Sequence, residues 1–590
     1  MLQILRIFKY LKKKEWGFFA VAIVFIVVQT GLELKLPDYM SSITQLVQTE
    51  GSKMSEILRY GGYMLLCALG SMLSAVITGW FVAHIAAGLS ATLREGVYKQ
   101  TLAFSMEEIN EFSTASLINR TTNDITQVQM VVAMGLQIVI KAPVMAVWAI
   151  FKIIGKAWQW TAATAAGVVA LLVVFAIIIL LAMPKFRMVQ SLTDDVNRVT
   201  REQLTGLRVV RAYNAEHYQE EKFEAANEKL TKTNLFAQRV MSILQPSITT
   251  IQSVLGLAIY WIGAIVIEAA GLEEKISLFS DMVVFSSYSM MIIMAFMMLA
   301  IIFVMMPRAA VSAGRILEVL DKEIRIQDGT QTDGAADVKG EIEFKNVSFS
   351  YPDASEPVIS GINFTAKRGE TVAFIGATGS GKSTLVNLIP RFYDVTEGEV
   401  LVDGRDVRTY RQSALRKKIG YVSQRAILFS GTVSSNVAFG DIKEEKKTQE
   451  AIRRAVSIAQ GTEFVEKMEG TYQANIAQGG ANVSGGQKQR LSIARAVARD
   501  PEIYIFDDSF SALDYKTDRV LRSALKKEIG DATMLIVAQR IGTIRDADRI
   551  IVLEDGKIAG TGTHEELMKT CETYQAIARS QLSEEELNHA

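Results

Sequence analysis

Gly376–Thr384, GATGSGKST, lies directly behind the apolar run Thr371–Ile375, TVAFI, and ahead of a second apolar run, LVNLI. Its spacing is G-x-x-x-x-G-K-[ST], in which glycines let consecutive backbone N–H groups turn inward around a phosphate. Lys382 would reach the terminal phosphates, and Ser383 would hold Mg²⁺. Because a strand-like run precedes the loop and a helix-like run follows it, the context favours a nucleotide site over a ligand-free Gly-rich turn. The predicted nucleotide-binding residues of this loop are Gly376, Ala377, Thr378, Gly379, Ser380, Gly381, Lys382, Ser383 and Thr384.

Composition separates the chain into two parts that face different solvents. The 590 residues are 49% hydrophobic, and the long apolar runs are gathered between residues 16 and 306. The front half is therefore predicted to lie in a membrane and the back half in water. The 63 basic and 63 acidic side chains cancel, so net charge indicates no nucleic-acid partner. The 2 cysteines and 4 histidines are too few for a disulfide framework or a zinc site.

Residues 1–15 mix lysines with leucines and isoleucines, which predicts an amphipathic helix at the inner membrane interface. A signal peptide is the competing interpretation. The apolar stretch that follows, residues 16–40, is too long for the hydrophobic part of a signal peptide and has no evident small-residue cleavage site. We therefore expect an uncleaved first span, with the lysines placing the N-terminus in the cytoplasm.

Five further apolar stretches are each near or above the roughly 20 residues that a helix needs to cross a bilayer. A six-span membrane domain is therefore predicted for residues 16–306. The five stretches lie at 57–90, 128–154, 160–183, 241–267 and 278–306.

The connections between these spans differ in length and charge. The segments 94–127 and 184–239 are long and charged, whereas the short connection near Glu268 and Glu274 is acidic. The positive-inside rule therefore places the long segments in the cytoplasm of a multi-pass protein of the cytoplasmic membrane. A linker, residues 307–339, is expected to begin as helix and to become Gly/Asp-rich before it reaches a soluble domain on the same side.

Several polar side chains lie within the apolar stretches. Glu33, Lys35 and Asp38 near the end of the first span, and Lys141 in the third, are expected to line a cavity or pair with one another. For Glu33, Lys35 and Asp38, extension to the interface is the alternative. Lys141 in the third span is the better cavity candidate. The sixth span is rich in methionine, which suits a surface that accepts many shapes, although packing between helices is the simpler explanation for any single methionine.

Residues 340–590 alternate short strand-like runs, such as KIGYV and TMLIVA, with helical stretches. This alternation predicts an α/β domain on a largely parallel sheet, with its ligand at the strand ends. The predicted fold class is therefore an α-helical six-span membrane domain fused to an α/β P-loop nucleotide-binding domain.

Three residues outside the loop are further ligand candidates. Asp507 ends the apolar strand IYIFD and is placed to bind Mg²⁺ beside Ser383. Gln424 follows the run KIGYVS and is a candidate for binding the metal or orienting the attacking water. Tyr351 would stack on the base, and a buried structural tyrosine is the alternative. Nucleoside triphosphate and Mg²⁺ are the predicted ligands.

Val483–Gln487, VSGGQ, leads into a helix that Ser484 can cap, with free N–H groups that suit an anion. With this turn, the chain resembles a half-transporter of the ATP-binding-cassette exporter family. The motifs that carry the resemblance stand in the family's order, and they are Tyr351, GATGSGKST, Gln424, VSGGQ, IYIFD and SALD (Ser511–Asp514).

The resemblance implies a head-to-tail pair of nucleotide-binding domains, in which each ATP is clamped between the P-loop of one chain and the VSGGQ turn of the other. It also implies two coupling segments, near 113–127 and 212–220, that transmit closure to the membrane domain. The additional nucleotide-binding residues that it implies are Ser484, Gly485, Gly486, Gln487 and Asp514.

Two departures from the family's pattern concern hydrolysis, and a third, milder one is Gln478, where the family usually has an acidic residue. Asp508 stands where the family has the catalytic Glu, and Gln539 stands where it has His. Asp is one methylene shorter, and Gln cannot carry the charge of an imidazolium. Both changes are expected to slow hydrolysis without preventing ATP binding.

Because VSGGQ is intact, the chain resembles the degenerate-site subunit of a bacterial heterodimeric multidrug exporter. The implied partner is a different half-transporter with an intact catalytic Glu and His, and the rival is a homodimer with two equally slow sites. The expected function is ATP-driven export of amphipathic small molecules by alternating access, with hydrophobic molecules and membrane lipid as partners. A lipid flippase and an ATP-binding regulatory subunit are the alternatives.

Overall fold

The computed structural model describes residues 2–49, 51–154, 158–335, 338–352, 354–440 and 445–581. The predicted domain limits at residues 1 and 590 lie outside these ranges. The chain divides into two compact units. The helical unit runs to Leu102 and continues over Thr114–Lys322, and the α/β unit consists of Ala103–Ser113 and the chain from Glu323 onward.

Long helices dominate the first 322 residues, and all but one belong to the helical unit. The exception is the fourth, a short helix within Ala103–Ser113. The helices are α1 (Leu2–Ile7), α2 (Lys13–Gln48), α3 (Met54–Ala103), α4 (Met106–Phe112), α5 (Thr114–Asn119), α6 (Ile125–Ile153), α7 (Trp158–Thr205), α8 (Leu207–Ala212), α9 (Glu216–Ser242), α10 (Leu244–Ala269) and α11 (Leu272–Leu320).

Six helical stretches among the described residues are long and apolar enough to cross a membrane, which confirms the predicted number of spans. They run longer than the apolar stretches themselves. The 50 residues of α3 extend for about 75 Å at ~1.5 Å per residue, well beyond a hydrocarbon core of about 30 Å. The sixth span, α11, likewise continues past Pro307 to Leu320, so the first part of the segment 307–339 is helical, as expected.

The N-terminal segment differs from the single amphipathic helix expected over residues 1–15. Helix α1 ends at Ile7, a short 3₁₀ turn follows, and α2 already begins at Lys13. Its apolar side is buried by protein, since Ile4 and Ile7 are 6% and 0% exposed and α1 packs against α11. The Glu15 carboxylate accepts a hydrogen bond from the Lys12 backbone N–H and so fixes the start of the next helix.

The α/β unit contains two main sheets. A six-stranded sheet has the order β12-β11-β3-β10-β9-β6, parallel except for the antiparallel edge pair β11 and β12, and an antiparallel sheet has the order β2-β1-β4-β5. The strands are β1 (Ile342–Phe349), β2 (Ile359–Ala366), β3 (Thr371–Gly376), β4 (Glu397–Val402), β5 (Arg405–Asp406), β6 (Ile419–Val422), β7 (Gly431–Thr432), β8 (Asn475–Ile476), β9 (Ile503–Asp507), β10 (Thr533–Val537), β11 (Arg549–Glu554) and β12 (Lys557–Gly562).

Helices lie between these strands in sequence and pack on the sheets, so the predicted α/β class with a largely parallel sheet is confirmed. They are α12 (Lys382–Leu388), α13 (Gln412–Lys417), α14 (Val433–Val437), α15 (Glu445–Ile458), α16 (Thr462–Lys467), α17 (Gly485–Ala498), α18 (Tyr515–Glu528), α19 (Ile541–Ile544), α20 (His564–Thr570) and α21 (Glu572–Gln581).

The central strands are apolar on both faces, as expected for a parallel sheet covered on two sides. β3, β9 and β10 bury almost every side chain. Because β3, β10, β9 and β6 run parallel, their carboxyl ends meet at one edge of the sheet. That edge receives the loops that follow each strand, and it positions the candidate site.

Helix α4 belongs to the α/β unit. A capping box starts it, in which Ser105 donates from its backbone N–H and its hydroxyl to Glu108. Ser113 ends it in a backbone conformation with positive φ. Arg325 donates to Glu107 at 2.8 Å and Asn110 donates to the Tyr393 hydroxyl at 3.3 Å. The segment that joins the α/β unit is therefore 103–113, whereas most of the expected coupling segment 113–127 lies in the helical unit.

Candidate functional site

The loop between β3 and α12 has the geometry of a phosphate cradle. Gly381 has φ +92°, a conformation that side chains rarely adopt, and a Cβ at Gly376 would come within 2.1 Å of the Leu553 carbonyl oxygen. Lys382 is 8% exposed, and its ammonium donates to the carbonyl oxygens of Gly376 and Ala377 at 2.8 and 2.7 Å. Burial lowers the pKa of Lys382. The positive charge thus lies inside the loop, where its hydrogen-bond acceptors among the described residues are neutral.

A cleft of about 260 Å³ opens at this loop. It brings together predicted residues from the ends of four parallel strands. Its lining residues are Val358, Thr378, Gly379, Gly381, Lys382, Ser383, Thr384, Gln424, Asp508, Val537 and Gln539.

Asp507 lies at the end of β9, directly beside the loop. Its Oδ1 accepts a hydrogen bond of 2.8 Å from the Ser383 hydroxyl, and its Oδ2 accepts one of 3.4 Å from the Tyr421 hydroxyl. Asp507 is 5% exposed. Burial raises the pKa of this carboxyl group, and the Ser383 hydrogen bond opposes that effect. Asp507 and Ser383 therefore form a contiguous pair of oxygen ligands.

Asp508, the next residue, has a strained backbone and a carboxylate held from two sides. Its φ is +46°, and its N–H donates to the Val537 carbonyl at 2.9 Å. Its Oδ2 accepts hydrogen bonds from Gln424 Nε2 at 3.2 Å and from Gln539 Nε2 at 2.9 Å. Burial is the main cause that raises the pKa of Asp508, and the negative charge of Asp507 raises it further. The two departures that concern hydrolysis are thus hydrogen-bonded to each other.

Two side chains that the sequence analysis did not single out support these groups. Gln581 at the end of α21 donates to the Gln539 backbone carbonyl at 2.7 Å and accepts from the Ile541 N–H at 2.9 Å. Tyr421 on β6 donates to Asp507 and, at 2.8 Å, to Asn387. No motif marks either residue, although Tyr421 lies in the strand that precedes Gln424.

Tyr351 lies beside the cradle. Its hydroxyl is 3.2 Å from the Thr384 hydroxyl, and its ring packs edge-on against Phe349 and Tyr393 at 4.9 and 5.3 Å. Tyr393 also accepts the hydrogen bond from Asn110 of α4. A continuous set of contacts within the α/β unit therefore joins α4 to the first turn of α12.

The Ser484–Gln487 turn is an exposed, regular helix start. Ser484 caps α17, with reciprocal hydrogen bonds of 3.3 and 2.9 Å to Gln487. A Cβ at Gly485 would meet no atom within 4 Å, so the surface above this turn is open. Among the described residues that line the P-loop cleft, none comes from this turn. The structure thus leaves these two predicted halves of a nucleotide site apart within one chain.

Asp514 caps a different helix. Its carboxylate accepts a hydrogen bond of 2.9 Å from the Thr517 N–H at the start of α18, and that bond lowers the pKa of Asp514. Asp514 is exposed, and it does not line the P-loop cleft among the described residues.

The polar residues of the helical unit are paired across helices. Lys141 Nζ lies 2.9 Å from Glu33 Oε1, and Lys152 Nζ lies 2.6 Å from Asp38 Oδ2. The Tyr288 hydroxyl donates to the other Asp38 oxygen at 2.6 Å. Lys35 is exposed and makes no ion pair or hydrogen bond among the described residues.

The residues at the sheet edge fit a nucleotide with a divalent cation. Burial disfavours ionisation of both carboxylates, and the negative charge of Asp507 adds to this cost at Asp508; among the described residues, Lys382 is the cation that opposes the cost at both. A hard cation at Asp507 and Ser383 would offset this cost, because both present oxygen atoms, the donors that Mg²⁺ prefers. The Lys382 ammonium, bonded to neutral carbonyls, is free to exchange them for phosphate oxygens.

Two family models match the chain. The model described as the ABC transporter transmembrane region matches residues 19–296, and the model described as ABC transporter matches residues 359–511.

Curated relatives match over nearly the whole chain. An uncharacterised ABC transporter ATP-binding protein of Mycobacterium tuberculosis is 39% identical over 565 residues, which cover 94% of each chain. The ATP-dependent lipid A-core flippase of Hahella chejuensis is 30% identical over 586 residues, which cover 98% of this chain and 97% of the flippase.

A solved structure described as a bacterial Atm1-family ABC exporter with ATP bound superposes with a TM-score of 0.80. The match covers 96% of this chain and 99% of the exporter at 21% identity, so it establishes a shared fold.

Proposed function

The chain belongs to the ABC transporter family, and from this premise we propose that it exports amphipathic small molecules as one subunit of a heterodimer. As an ABC exporter it is a multi-pass membrane protein with a cytoplasmic nucleotide-binding domain, and it uses ATP to drive transport. In the proposed heterodimer, this chain's own P-loop site binds ATP and hydrolyses it poorly. Its VSGGQ turn completes a competent site on a partner that has the catalytic Glu and His.

The observation that carries this proposal is the arrangement of Asp508. One carboxylate oxygen accepts hydrogen bonds from both Gln424 and Gln539, at 3.2 and 2.9 Å. A general base must reach the proton that it removes, and a displacement of about 1 Å can cost ~100-fold in rate. The shorter Asp side chain, already bonded to two amides, is poorly placed for that task. Gln539 adds a neutral donor where a charged imidazolium would stabilise the phosphate.

ATP binding requires none of these missing groups. We assign the triphosphate to the backbone N–H groups of Gly376–Thr384 and to Lys382, and the base to Tyr351. Ser383, Asp507 and the amide oxygen of Gln424 would hold Mg²⁺, which when bound supplies positive charge to the β- and γ-phosphates. The residues Ser484–Gln487 and Asp514 do not line this cleft, and in the proposal they act on the nucleotide bound to the partner.

A lipid substrate is the second candidate, and the flippase relatives favour it. One of them aligns over 98% of this chain. Lipids and amphipathic drugs share an apolar body and a polar group, so the same membrane domain suits both. A regulatory subunit that binds ATP without moving cargo is the third alternative. That role would leave the six apolar helical stretches of this chain without a purpose.

The test uses vesicles that contain the complex of this chain with its partner. We expect ATPase stimulation by amphipathic dyes or by lipids, and the more effective class identifies the substrate. This chain purified alone should hydrolyse ATP slowly. Rapid hydrolysis by the isolated chain, at the rate of the complex, would contradict the degenerate-site proposal.

A further inference from the structure

A pair of charged side chains joins two of the helices that are long and apolar enough to cross a membrane. Glu33 is in α2 and Lys141 is in α6, and their charged atoms are 2.9 Å apart. Their side chains keep 24% and 19% of their surface exposed. Charged side chains within apolar spans are rare, and they mark sites of function more often than sites of stability.

The hydrogen bonds of this pair are incomplete. Glu33 Oε1 accepts from Lys141, from Gln29 at 2.9 Å and from Ser71 at 3.2 Å. Glu33 Oε2 and the remaining N–H groups of Lys141 have no hydrogen-bond partner among the described residues. In a bilayer interior such groups need a polar partner, since hydrocarbon provides none.

The second intramembrane pair shows what a complete arrangement looks like. Both oxygens of Asp38 are bonded, one to Lys152 at 2.6 Å and the other to Tyr288 at 2.6 Å. Tyr288 is 1% exposed, and its hydroxyl oxygen also lies 2.8 Å from the Leu34 carbonyl oxygen, so buried groups surround this cluster. The Asp38 cluster therefore joins helices, whereas the Glu33–Lys141 pair keeps one anionic acceptor and one cationic donor available.

Exposed apolar side chains lie on the same side of α6 as Lys141 of the open pair. Met134 and Trp148 lie two turns before and after Lys141 on the same side of α6, and they are 54% and 38% exposed. A ligand that satisfies this surface has an apolar body and carries both a positive and a negative group. An anion alone would be repelled by Glu33, and a cation alone by Lys141.

We propose that Glu33 and Lys141 form a membrane-embedded subsite for zwitterionic amphiphiles, with Glu33 binding the cationic group and Lys141 the anionic group. The inference rests on the proposed export of amphipathic molecules and names their headgroup chemistry. A zwitterionic lipid and a zwitterionic exported molecule share this chemistry.

The test is equilibrium binding without ATP, measured by tryptophan fluorescence on the purified full chain. Four probes are compared below their micellar concentrations: dihexanoylphosphatidylcholine, decyl sulfobetaine, decyl sulfate and decyltrimethylammonium. The unmodified chain should bind the two zwitterions about tenfold more tightly than the singly charged probes, given the strength of charge-assisted hydrogen bonds. Tighter binding of the phosphatidylcholine indicates a lipid, and tighter binding of the sulfobetaine indicates a non-lipid molecule.

Single substitutions should reverse the selectivity in opposite directions. Glu33→Gln leaves Lys141 and should favour decyl sulfate about tenfold, and Lys141→Gln leaves Glu33 and should favour decyltrimethylammonium by a similar factor. The exchange E33K/K141E restores both charges and should restore the zwitterion preference. This double variant also provides the test if a single variant fails to fold. The matched control, Asp38→Asn, should leave the selectivity unchanged.

A purely structural ion pair predicts a different result. Both single variants would then weaken binding of all four probes equally, and that outcome overturns the inference, as does equal binding of all probes by the unmodified chain. Because binding is measured without nucleotide, this failure is distinct from failure of the proposed export, which would appear as absent ATP-dependent transport by the complex.

Discussion

The P-loop cleft and the Ser484–Gln487 turn belong to the same domain, but they differ in burial and in how closely their residues follow the family's pattern. The charged side chains of the cleft are buried and hydrogen-bonded to neighbouring groups, and Lys382, Asp507 and Asp508 are each less than one-tenth exposed. Its phosphate cradle is complete, but Asp508 and Gln539 stand where the proposal expects the catalytic Glu and the His. The turn is exposed, and the surface above it is open. Under the proposed function, ATP binding and ATP hydrolysis are therefore separable, and this chain's P-loop binds one nucleotide while its turn completes the site on the partner.

Removing the charge of the cradle should have the largest effect. Lys382→Ala deletes the buried ammonium, which we expect to exchange its carbonyl acceptors for phosphate oxygens when ATP binds. Because each charge-assisted hydrogen bond contributes about 1.5–3 kcal/mol, the ATP affinity should fall by ~100-fold or more. Equilibrium binding of a fluorescent ATP analogue to the complex measures it. Lys557→Ala, at an exposed position of β12, is the control. Unchanged affinity at this chain's site would show that the cradle does not bind the triphosphate.

Restoring the missing groups should have the next largest effect. The double change D508E/Q539H lengthens the carboxylate and introduces a titratable ring, so single-turnover hydrolysis at this chain's site should rise by up to ~100-fold. Gln424→Glu changes a neighbouring amide without supplying the base, and it should not reproduce the gain. If D508E/Q539H leaves the single-turnover rate unchanged, the two residues do not limit hydrolysis.

Adding a methyl group to the exposed turn, by Gly485→Ala, separates an effect on folding of the domain from an effect on the proposed composite ATP site. Gly485→Ala meets no atom within 4 Å in this chain, so the domain should fold normally. In the complex the added Cβ would lie where the partner's nucleotide is expected, and steady-state ATPase should fall by about tenfold. Gly542→Ala, whose Cβ would only touch Tyr515 at 3.9 Å, is the control. Full ATPase in the Gly485 variant would mean that the turn completes no site.

The smallest effect is on stability. Burial raises the pKa of Asp507, so the folded chain without nucleotide is stabilised by protonation of this group at low pH and loses that stabilisation as pH rises through the folded-state pKa. Asp507→Asn removes the charge, and at about pH 7.5 it should raise the apparent melting temperature by roughly 2–4 °C, equivalent to about 1 kcal/mol. The gain should vanish near pH 4, close to the ordinary carboxyl pKa.

The control for this measurement is Asp531→Asn, because Asp531 is exposed. The Asp507 variant should also lose the Mg²⁺ dependence of ATP binding. A lower melting temperature at pH 7.5 would show that the Ser383 and Tyr421 hydrogen bonds outweigh the cost of burying the charge.

The sequence predicted those features that depend on short stretches of chain. The apolar run before Gly376, the glycine spacing and Lys382 define the strand, the loop and the helix without reference to distant residues. The six spans follow from apolar length in the same way. Both sets of features depend on local backbone and solvent preferences, which a sequence displays directly.

The features that the sequence did not predict depend on distant partners. The sequence predicts that Glu33, Lys35, Asp38 and Lys141 line a cavity or pair with one another, but it does not select the Glu33–Lys141 pair, whose members are 108 residues apart. The hydrogen bonds from Gln424 and Gln539 to Asp508 likewise require three strands to align. Helix α4 was missed because its capping box, Ser105 with Glu108, lies within a segment that was interpreted as one long charged connection.

The central proposal is that this chain's P-loop site retains ATP and hydrolyses it much more slowly than the partner site does, and nucleotide trapping tests it most directly. The complex is loaded with a mixture of α- and γ-³²P-labelled ATP and Mg²⁺, chased with unlabelled ATP, and the label that stays bound is counted. We predict that α and γ label are retained in equal amounts after the partner site has turned over, and that Lys382→Ala abolishes this retention. Loss of γ label while α label stays bound, or release of both at the turnover rate, would contradict the claim.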